Sequence, residues 1–507
     1  MGARFPFPSF PSGWYAVAFS PDLAAGDVRT VRYFDRDIVL FRSQAGVVAA
    51  FGATCPHLGA HLGDGKVEGE CLRCPFHGWA FDGSGRCVDV PYAPKIPPRA
   101  RASTWPILEQ NGLVFVYYGA RGEQPPWTPP PLELEGWTPN RTVRWEVRSH
   151  PQEIGENTVD AAHLVPVHDA ISAEVTHFAQ RDHVMSSVIR MVATGRVIGM
   201  PEDVNDAELD VTLHGLGHIV SRTHVITAGL RTIQRIHPTP IDRERVHIFA
   251  AGNTRHMPDA AYTAEIDEIF WGAFTRDFVR DFPIWDKKTY LDRPLLAGGD
   301  GPIGAYRRWA RQFYAEDAPE SFADIRSGAA RGDARLSPVA RLTQRLREAS
   351  PREALGSAAS ALLDGARRIA GRAPPPPASI PQPSTGHAGA TRPVARRFAS
   401  VDAYFQSLER LFDARAAGEL EAVFQWTLSG ARAVEHFAEV RAGTIQAAPG
   451  VHAAPTVTIE MSADDYLSMV NGELNGALAF STGRGRLRGP VRLAMRMRQL
   501  FPLDRAS

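Results

Sequence analysis

The sequence predicts a multidomain α+β protein. Its 507 residues exceed the size at which one hydrophobic core usually organises a chain. Between about residues 12 and 120, short apolar runs separated by Gly, Asp and Pro indicate an all-β region, and from about 140 to 320 strand-like and helix-like segments alternate. A Pro-rich run then precedes a last compact unit, from about Phe398 to Pro502. We therefore expect one all-β domain followed by two α+β domains.

Charge and hydropathy argue against two classes of protein. Lys and Arg together number 56, as do Asp and Glu, so no excess charge points to nucleic acid as a partner. No uninterrupted apolar run approaches the ~18–20 residues that a membrane-spanning helix needs. Pro6, Pro8 and Pro11 interrupt the first residues, so we expect no signal peptide.

The cysteines of the chain are few and lie close together: Cys55, Cys71, Cys74 and Cys87. In a long chain without a secretion signal, such clustering indicates metal ligation rather than a disulfide framework. We therefore expect a reducing, cytoplasmic location.

A compact cysteine–histidine motif lies in the all-β region. In CPHLGAHLGDGKVEGECLRCPFHGW, sixteen residues separate Cys55-x-His57 from Cys74-x-x-His77. Thiolates suit ferric iron, and imidazoles on the second iron of a 2Fe-2S cluster raise its potential. A structural zinc site also uses two cysteines and two histidines, and Cys71 with Cys74 would supply a zinc-like pair. The Cys-x-His spacing, however, is too short for a typical zinc knuckle.

The same segment resembles the Rieske fingerprint residue for residue, in C-P-H-L-G-A and C-P-F-H-G-W. The residues to which the resemblance assigns one 2Fe-2S cluster per chain are Cys55, His57, Cys74 and His77. Rieske proteins of respiratory complexes carry a further cysteine pair that forms a disulfide beside the cluster. Ala60 and Phe76 occupy those positions here, which favours the oxygenase branch. We expect the spare Cys71 and Cys87 to be buried structural cysteines.

A second candidate metal site follows in GENTVDAAHLVPVHDA. Asp160 and His163 are three residues apart and share one face of a helix. His163 and His168 are five apart, which turns side chains of an ideal helix away from each other, but Pro166 removes the regular hydrogen-bond ladder and a local bend could make the imidazoles converge. Two histidines and one carboxylate form the facial triad of oxygen-activating ferrous enzymes. Taken alone, the pattern also fits core or surface histidines.

Downstream of a Rieske motif, this segment resembles the E-N-x-x-D-x-x-H-x4-H motif of Rieske oxygenase catalytic domains. The matching residues are Glu156, Asn157, Asp160, His163 and His168. The resemblance implies that the two histidines bind one mononuclear Fe(2+) per chain. It also implies that Asp160 hydrogen-bonds toward His77 of the partner subunit, in a head-to-tail homotrimer. Asp160 and Asn157 are therefore the expected catalytic residues.

The third iron ligand must come from elsewhere in the chain. The residues that share one helical stripe with a 4-3-4 spacing are Phe270, Phe274, Asp277 and Asp281. Carboxylates on an apolar stripe are unusual unless they are paired or bind a metal. In the resembling family the third ligand is an Asp shortly before a Trp. Asp281, four residues before Trp285 and just before a break at Pro283, fits best, and Asp277 is the alternative.

The electrons must come from another protein. A plant-type ferredoxin module needs four further cysteines, whereas two are left over here, and no G-x-G-x-x-G lies in a strand–helix context. We therefore expect a separate ferredoxin or flavin reductase that passes on electrons from NAD(P)H.

Two segments resemble steroid-handling proteins. Residues 281–314, DFPIWDKKTYLDRPLLAGGDGPIGAYRRWARQFY, resemble the 3-ketosteroid 9α-hydroxylase oxygenases, a likeness that covers about residues 12–316. The segments VFQWTLSG and PTVTIEMSADDYLSMVNGELNGALAFSTGRGRLRGPVRLAMRMRQLF resemble the sterol carrier protein family, in which a five-stranded sheet and helices enclose an apolar tunnel.

In this last unit we expect helices at 464–471 and 491–501. The methionines that either line the tunnel or belong to an ordinary core are Met461, Met469, Met495 and Met497. The arginines that form either a solvated face or a membrane-binding patch are Arg484, Arg486, Arg488, Arg492, Arg496 and Arg498.

The resemblances complete the expected architecture. Residues 1–130 form an all-β Rieske domain, and residues 131–330 an α+β mononuclear-iron domain with a helix-grip-like antiparallel sheet and a helix at 263–291. Residues 331–395 contain a helical stretch and a Pro-rich linker, and residues 396–507 form an α+β sterol-carrier domain.

The expected function is that of a Rieske oxygenase component. It would use O2 and reductase-supplied electrons to oxidise a sterol or steroid by hydroxylation, ring desaturation or ring-methyl oxidation. The tethered carrier domain would raise the local substrate concentration, with transient membrane contact as a means of collecting sterol. The alternatives are a non-enzymatic sterol-binding or transfer protein with a redox domain, and an electron-transfer Rieske protein.

Overall fold

The computed structural model describes residues 4–194, 204–315 and 398–503. The chain divides into one unit formed by Met1–Pro319 with Ala395–Ser507 and a second unit, Glu320–Val394. The helical stretch and Pro-rich linker expected at 331–395 lie outside the described residues.

The N-terminal region is all-β, as expected. Its strands, in chain order, are Gly13–Phe19 (β1), Val28–Tyr33 (β2), Arg36–Arg42 (β3), Val48–Gly52 (β4), Lys66–Glu68 (β5), Cys71–Arg73 (β6), Ala80–Phe81 (β7), Cys87–Asp89 (β8), Ile107–Gln110 (β9) and Leu113–Tyr118 (β10). They form antiparallel sheets with the orders β1-β10-β9, β2-β3-β4 and β5-β6-β7-β8. Short 3₁₀ turns occur at Ser20–Asp22 and Leu62–Asp64.

Tight turns fix the register of this region and join it to the next. Asn111 and Gly112 connect β9 to β10 with φ of 50° and 82°, the left-handed conformations that a two-residue hairpin turn requires. Phe34 and Asp35 connect β2 to β3 in the same way, with φ of 55° and 58°. Phe34 is buried and its N–H donates to the carbonyl of Pro240 at 2.9 Å, so this turn is anchored on the following sheet.

A seven-stranded antiparallel sheet forms the centre of the next region. Its strands are Arg141–Val147 (β11), Ala170–Arg181 (β12), Val184–Thr194 (β13), Val204–His214 (β14), Ile219–Val225 (β15), Leu230–Pro240 (β16) and Val246–Thr254 (β17), in the order β11-β17-β16-β15-β14-β13-β12. The associated helices are Pro151–Glu156 (α1), Leu164–His168 (α2), Ala260–Phe278 (α3), Phe282–Trp285 (α4) and Ile303–Ala310 (α5), with 3₁₀ turns at Ile226–Ala228, Val279–Asp281 and Arg311–Phe313. Tyr262, Ile266 and Phe270 recur every four residues, so α3 packs this apolar face in one cluster with Met191 and Leu230 of the sheet.

The helix expected at 263–291 is shorter and interrupted. α3 begins at Ala260, where Asp259 caps it by accepting a hydrogen bond from the N–H of Tyr262 at 3.0 Å. It ends at Phe278, and a 3₁₀ turn leads into α4. Pro283 lies in the first turn of α4, where its missing N–H removes no helical hydrogen bond. The proline therefore starts a new helix instead of kinking a long one.

The C-terminal region contains the expected five-stranded sheet. Its strands are Ala422–Ser429 (β18), Val434–Arg441 (β19), Thr444–Pro449 (β20), Val457–Ser462 (β21) and Gly485–Arg488 (β22), in the order β20-β19-β18-β21-β22 with β18 and β21 parallel. The helices are Val401–Phe405 (α6), Leu408–Leu411 (α7), Ala414–Ala417 (α8), Ala463–Val470 (α9), Gly476–Ser481 (α10), Val491–Met495 (α11) and Met497–Leu500 (α12). The helix expected at 491–501 is thus broken at Arg496, whereas the one expected at 464–471 corresponds to α9.

None of the helices in the described ranges is both long and apolar enough to cross a membrane.

Candidate metal centres

Two loops of the same shape carry the first set of candidate ligands. The N–H of Cys55 donates to the carbonyl five residues later at 2.8 Å, and the N–H of Gly59 donates back to the carbonyl of Cys55 at 3.0 Å. Cys74 and Gly78 repeat both hydrogen bonds, at 2.9 and 3.2 Å. Gly59 and Gly78 have φ of 80° and 71°, a conformation that glycine adopts without steric cost. The repeated geometry places two equivalent cysteines at the bases of the loops.

The histidines of the two loops face each other. The ring centroids of His57 and His77 are 4.6 Å apart, and His57 stacks on Trp79. Cys55 and Cys74 are buried and free of disulfides. Within the described chain, Nδ1 of His57 is buried and has no hydrogen-bond partner. A buried nitrogen without a partner, beside two buried thiols, is the arrangement that a bound metal group would satisfy.

Arg73 holds the second loop in place, and sequence reasoning did not single it out. Its guanidinium donates to the carbonyl of Gly78 at 2.5 Å and to the carboxylate of Asp89 at 2.9 Å. The hydrogen bonds that Arg73 donates to the carboxylates of Asp89 and Glu68 raise its pKa. The spare Cys87 is buried, as expected, but Cys71 is only half-buried, because it begins the short strand β6 near the surface.

His163, His168 and Asp281 form the second set of candidate ligands. One potential ligand atom from each residue lies within 4.8 Å of the other two. His163 immediately precedes α2, His168 ends α2, and Asp281 ends the 3₁₀ turn after α3. The two imidazole rings lie 5.2 Å apart and nearly perpendicular. The structure therefore brings together the three residues that the sequence predicts as a facial triad.

The convergence of the two histidines does not arise from a kink at Pro166. The N–H of Val167 still donates to the carbonyl of His163 at 3.0 Å, so helical bonding continues past the proline. The preceding residues are wound more tightly, because the N–H of Leu164 donates to the carbonyl of Ala161, three residues back, at 3.2 Å. Pro166 lies in the first turn of α2, where a missing N–H is tolerated. The expected mid-helix bend is therefore wrong, and the tight turn before α2 replaces it.

Three family descriptions match consecutive parts of the chain. Residues 13–104 match the Rieske [2Fe-2S] domain, residues 116–314 match the 3-ketosteroid 9alpha-hydroxylase C-terminal domain, and residues 405–502 match the SCP-2 sterol transfer family. A cholesterol 7-desaturase of Hemicentrotus pulcherrimus is 33% identical over 351 residues, which cover 63% of this chain and 72% of that protein.

The chain belongs to the Rieske oxygenase family. The oxygenase component of a 3-ketosteroid-9-alpha-monooxygenase of Rhodococcus rhodochrous is 29% identical over 61% of this chain and 82% of that protein. The crystal structure of dicamba monooxygenase bound to 3,6-dichlorosalicylic acid aligns with a TM-score of 0.50 and 19% identity over 59% of this chain and 96% of that one, a likeness of fold alone.

As a Rieske oxygenase, the chain carries a 2Fe-2S cluster, which supplies electrons, and a mononuclear iron, which activates dioxygen. The match to the Rieske [2Fe-2S] domain favours this cluster over the zinc site that two cysteines and two histidines would also suit.

Two carboxylates surround His168 of this Rieske oxygenase. Nδ1 of His168 is 3.0 Å from Oδ2 of Asp277, and Nε2 is 3.4 Å from Oδ2 of Asp281. Burial lowers the pKa of His168, but the hydrogen bonds to Asp277 and Asp281 outweigh it and raise the pKa to about 9. His168 and Asp281 are both buried. The buried imidazole and carboxylate suit an iron cation, which Nε2 of His168 and Asp281 would bind, and Asp277 lies at the other ring nitrogen.

Asp160 lies against the other histidine. Its Oδ1 accepts a hydrogen bond from the N–H of His163 at 3.3 Å, and its carbonyl lies 2.5 Å from Nδ1 of the same residue. Burial raises the pKa of Asp160, but the contacts with His163 outweigh it and lower the pKa overall. Asp160 remains half-exposed, and Asn157, also half-buried, ends α1 three residues earlier. Both predicted catalytic residues therefore lie in the loop between α1 and the triad.

Glu156 of the same motif is part of a buried ion network. Its carboxylate accepts hydrogen bonds from Arg307 at 2.5 and 2.9 Å and from Lys288 at 3.2 Å. Lys288 also contacts Glu153 at 3.0 Å, and burial raises the pKa of Glu153. The network ties α1 to α5 and thereby fixes the start of the triad loop. The R-R-W stretch that contains Arg307 belongs to the segment that resembles steroid oxygenases, but no local pattern indicated that Arg307 pairs with Glu156, 151 residues away.

Proposed function

We propose that this Rieske oxygenase oxidises a sterol or steroid. The observation that carries the proposal is one continuous apolar cluster, which includes Leu164 beside His163, the buried face of α3, and the core of the SCP-2 domain. An apolar surface beside the triad suits a substrate made of fused hydrocarbon rings. The named relatives are a cholesterol 7-desaturase and a 3-ketosteroid-9-alpha-monooxygenase oxygenase component. Hydroxylation, ring desaturation and ring-methyl oxidation are the three chemical outcomes included in the proposal.

The proposal assigns roles to the candidate residues. The ligands of the 2Fe-2S cluster are Cys55, His57, Cys74 and His77, and those of the iron are His163, His168 and Asp281. Asp160, with Asn157 beside it, forms the hydrogen-bonded route for electrons toward the iron. The corresponding domains are 1–130 for the cluster, 131–330 for the iron, and 396–507 for sterol binding, with 331–395 as the linker.

The assembly included in the proposal is a head-to-tail homotrimer in which Asp160 faces the partner subunit's His77. Large apolar side chains are exposed at both ends of such a contact. Leu58, Phe76 and Tyr92 surround the cluster histidines, whereas Val165 and Ile284 lie near the triad. Exposed apolar groups at two different sites of one subunit favour a heterologous contact that closes into a ring.

The surroundings of the enzyme complete the proposal. A separate ferredoxin or flavin reductase supplies electrons from NAD(P)H, and a cytoplasmic location agrees with four free cysteines. Transient membrane contact of the SCP-2 domain would load it with sterol. The arginines between Arg484 and Arg498 supply positive charge for this contact, although several of them pair with carboxylates.

The test of the proposed function is the coupling of oxygen uptake to steroid. Purified protein is supplied with a generic ferredoxin, its reductase and NADH, and oxygen consumption is recorded with a panel of sterols and ketosteroids, with benzoate as a non-steroid control. We expect about three irons per chain and oxygen consumption that rises with a steroid but not with benzoate. About two irons and no steroid-dependent uptake would instead indicate an electron carrier fused to a sterol-binding domain.

A further inference from the structure

The SCP-2 domain packs directly on the catalytic domain of its own chain. The hydroxyl of Ser481, at the end of α10, donates to the carbonyl of Ala228 at 2.7 Å. The N–H of Val491, at the start of α11, donates to the carboxylate of Glu265 on α3 at 2.6 Å. A Cβ on Gly229 would lie 2.7 Å from the Ser481 hydroxyl, so the two surfaces fit without room for a side chain. These contacts define a close interface between α10 and α11 on one side and, on the other, the 3₁₀ turn Ile226–Ala228 with Gly229 and the first part of α3.

Charge complementarity surrounds this interface. Arg486 on β22 lies 3.1 Å from Asp259, which caps α3, and Arg492 on α11 lies 4.0 Å from Glu268. The pKa of Asp259 is lowered, first by the capping hydrogen bond from Tyr262 and further by Arg486. Acidic groups on α3 therefore face arginines of the SCP-2 domain. Two of the arginines considered for a membrane patch thus contact the catalytic domain.

The interior of the interface is apolar. The rings of Tyr262 on α3 and Phe480 on α10 lie 5.9 Å apart. The catalytic-domain residues in the same cluster as the SCP-2 core include Met191, Ala207, Leu230, Tyr262, Ile266 and Phe270. Within the SCP-2 domain, Met461 is buried in this cluster, and Met469, Met495 and Met497 pack against it. Flexible methionines in an apolar core accommodate ligands of varied shape.

The apolar face of α3 leads from this interface to the triad. Tyr262 and Ile266 stand at the interface, Phe270 and Phe274 follow on the same face, and Asp277 beside His168 comes next. Fifteen residues of helix from Tyr262 to Asp277 span about 22 Å. This face is buried against the sheet, so a rigid apolar molecule that leaves the SCP-2 domain at α10 moves toward the triad by displacing apolar side chains only.

We propose that the SCP-2 domain passes its lipid along this face of α3 into the active site of its own chain, without release into water. The inference rests on the proposed function, since it takes a sterol as the substrate. Transfer through water would expose the whole apolar surface of the sterol, whereas transfer across the interface keeps it covered. A docked carrier also raises the local substrate concentration far above that of a free one. Ser481, Glu265 and Arg486 act as positioning residues that keep the exit of the carrier against α3.

A competition experiment on the full-length protein tests the transfer. Radiolabelled cholesterol is loaded at one molecule per chain, and the reaction starts by adding ferredoxin, its reductase and NADH together with excess sterol-free phosphatidylcholine vesicles. The fraction oxidised before escape to the vesicles is then measured. The variants are Arg486→Glu, which faces Asp259, and Ser481→Arg, which disrupts the closest contact. The matched control is Arg488→Glu on the same strand, because Arg488 pairs with Glu460 inside the SCP-2 domain.

Direct transfer predicts that the wild type and Arg488→Glu oxidise most of the loaded sterol, and that the two interface variants oxidise about fivefold less or lower. Cholesterol supplied from cyclodextrin should be oxidised at similar rates by all four proteins, which also shows that the variants fold. If cyclodextrin-supplied sterol is oxidised but the oxidised fraction with vesicles is equal in all four, the transfer inference fails and the proposed function stands. If no sterol is oxidised from either source, the proposed function fails and the transfer inference with it.

Discussion

Oδ2 of Asp277 lies 3.0 Å from Nδ1 of the His168 imidazole, and Oδ2 of Asp281 lies 3.4 Å from the opposite nitrogen, Nε2. Carboxylates that bind the far nitrogen of a metal-ligating histidine fix its orientation and raise its basicity. We therefore expect the two aspartates, four residues apart in the chain, to have different roles. The guanidinium of Arg280 connects Asp277 to Asp169, since it lies 3.5 Å from the carboxylate of Asp277 and 2.7 Å from that of Asp169.

This division of roles predicts different losses of iron. Asp281→Ala should abolish binding of the mononuclear iron and leave the visible spectrum of the 2Fe-2S cluster unchanged, because the cluster lies in another domain. Asp277→Asn should weaken iron binding about 10- to 100-fold without abolishing it. Iron content after dialysis against graded chelator measures both effects. Equal and complete loss in the two variants would show that both aspartates are ligands.

Asp160 should affect electron transfer and not metal binding. Asp160→Asn removes a negative charge from the loop between α1 and the triad, where Asp160 is expected to face the partner subunit's His77. Turnover should therefore fall by at least about tenfold while the iron content stays at the wild-type level. The matched control is Asp182→Asn, because Asp182 is an exposed turn residue with φ of 51° that asparagine also tolerates. Reoxidation of the reduced cluster by O2 in the presence of steroid, followed by absorbance, reports the step directly. Unchanged reoxidation in Asp160→Asn would contradict the assigned role.

Arg73 should stabilise the cluster loop. Arg73→Ala removes the hydrogen bonds to the carbonyl of Gly78 and to Asp89, which should cost about 1 kcal/mol because the side chain is partly exposed. Bleaching of the cluster absorbance on heating should therefore begin at a lower temperature. Arg99→Ala, at an exposed position in the same domain, is the control. Identical bleaching curves for the two variants would show that the loop does not depend on Arg73.

Buried His150 should make the protein less stable in acid. Burial, helped by Arg243, lowers the pKa of His150 from 6.5 to about 3. The unfolded chain therefore takes up a proton below pH 6.5 that the folded chain refuses, so stability falls as the pH drops from about 6.5 to 3, by about 1.4 kcal/mol per pH unit for this group. His150→Asn keeps the cap that His150 gives α1 and should reduce the pH dependence of the unfolding midpoint between pH 7 and 5. An unchanged pH dependence would mean that His150 does not carry this effect.

Local sequence patterns predicted much of the fold and identified the candidate ligands that the structure brings together. The Cys55 and Cys74 loops and the closeness of His163 to His168 follow from short motifs, and the five-stranded C-terminal sheet follows from the resemblance to the sterol carrier protein family. The position of Asp281 before Trp285 favoured it over Asp277 as the iron ligand, whereas the contacts of the two aspartates with different nitrogens of His168 needed the structure. Their roles as ligand and support stay predictions.

Contacts between distant parts of the chain could not be predicted from local patterns. The Ser481–Ala228 hydrogen bond joins residues 253 positions apart, and serine and alanine give no signal of such pairing. Arg486 and Arg492 belonged to a run that the sequence assigned to a solvated face or a membrane patch, whereas their partners are acidic residues at the domain interface. The break after Phe278 was also missed, since the apolar spacing of α3 continues across it.

The mass of the product tests the central claim most directly. Purified protein with ferredoxin, reductase and NADH is incubated under ¹⁸O2 with cholesterol and with a 3-ketosteroid, and the extracted steroids are analysed by mass spectrometry. The account predicts an O2-dependent steroid product, with one labelled oxygen gained, two hydrogens lost or a ring methyl oxidised, and none when His163 is replaced by Ala. Oxygen consumption with every steroid recovered unchanged would contradict the steroid assignment and leave only the Rieske assignment in place.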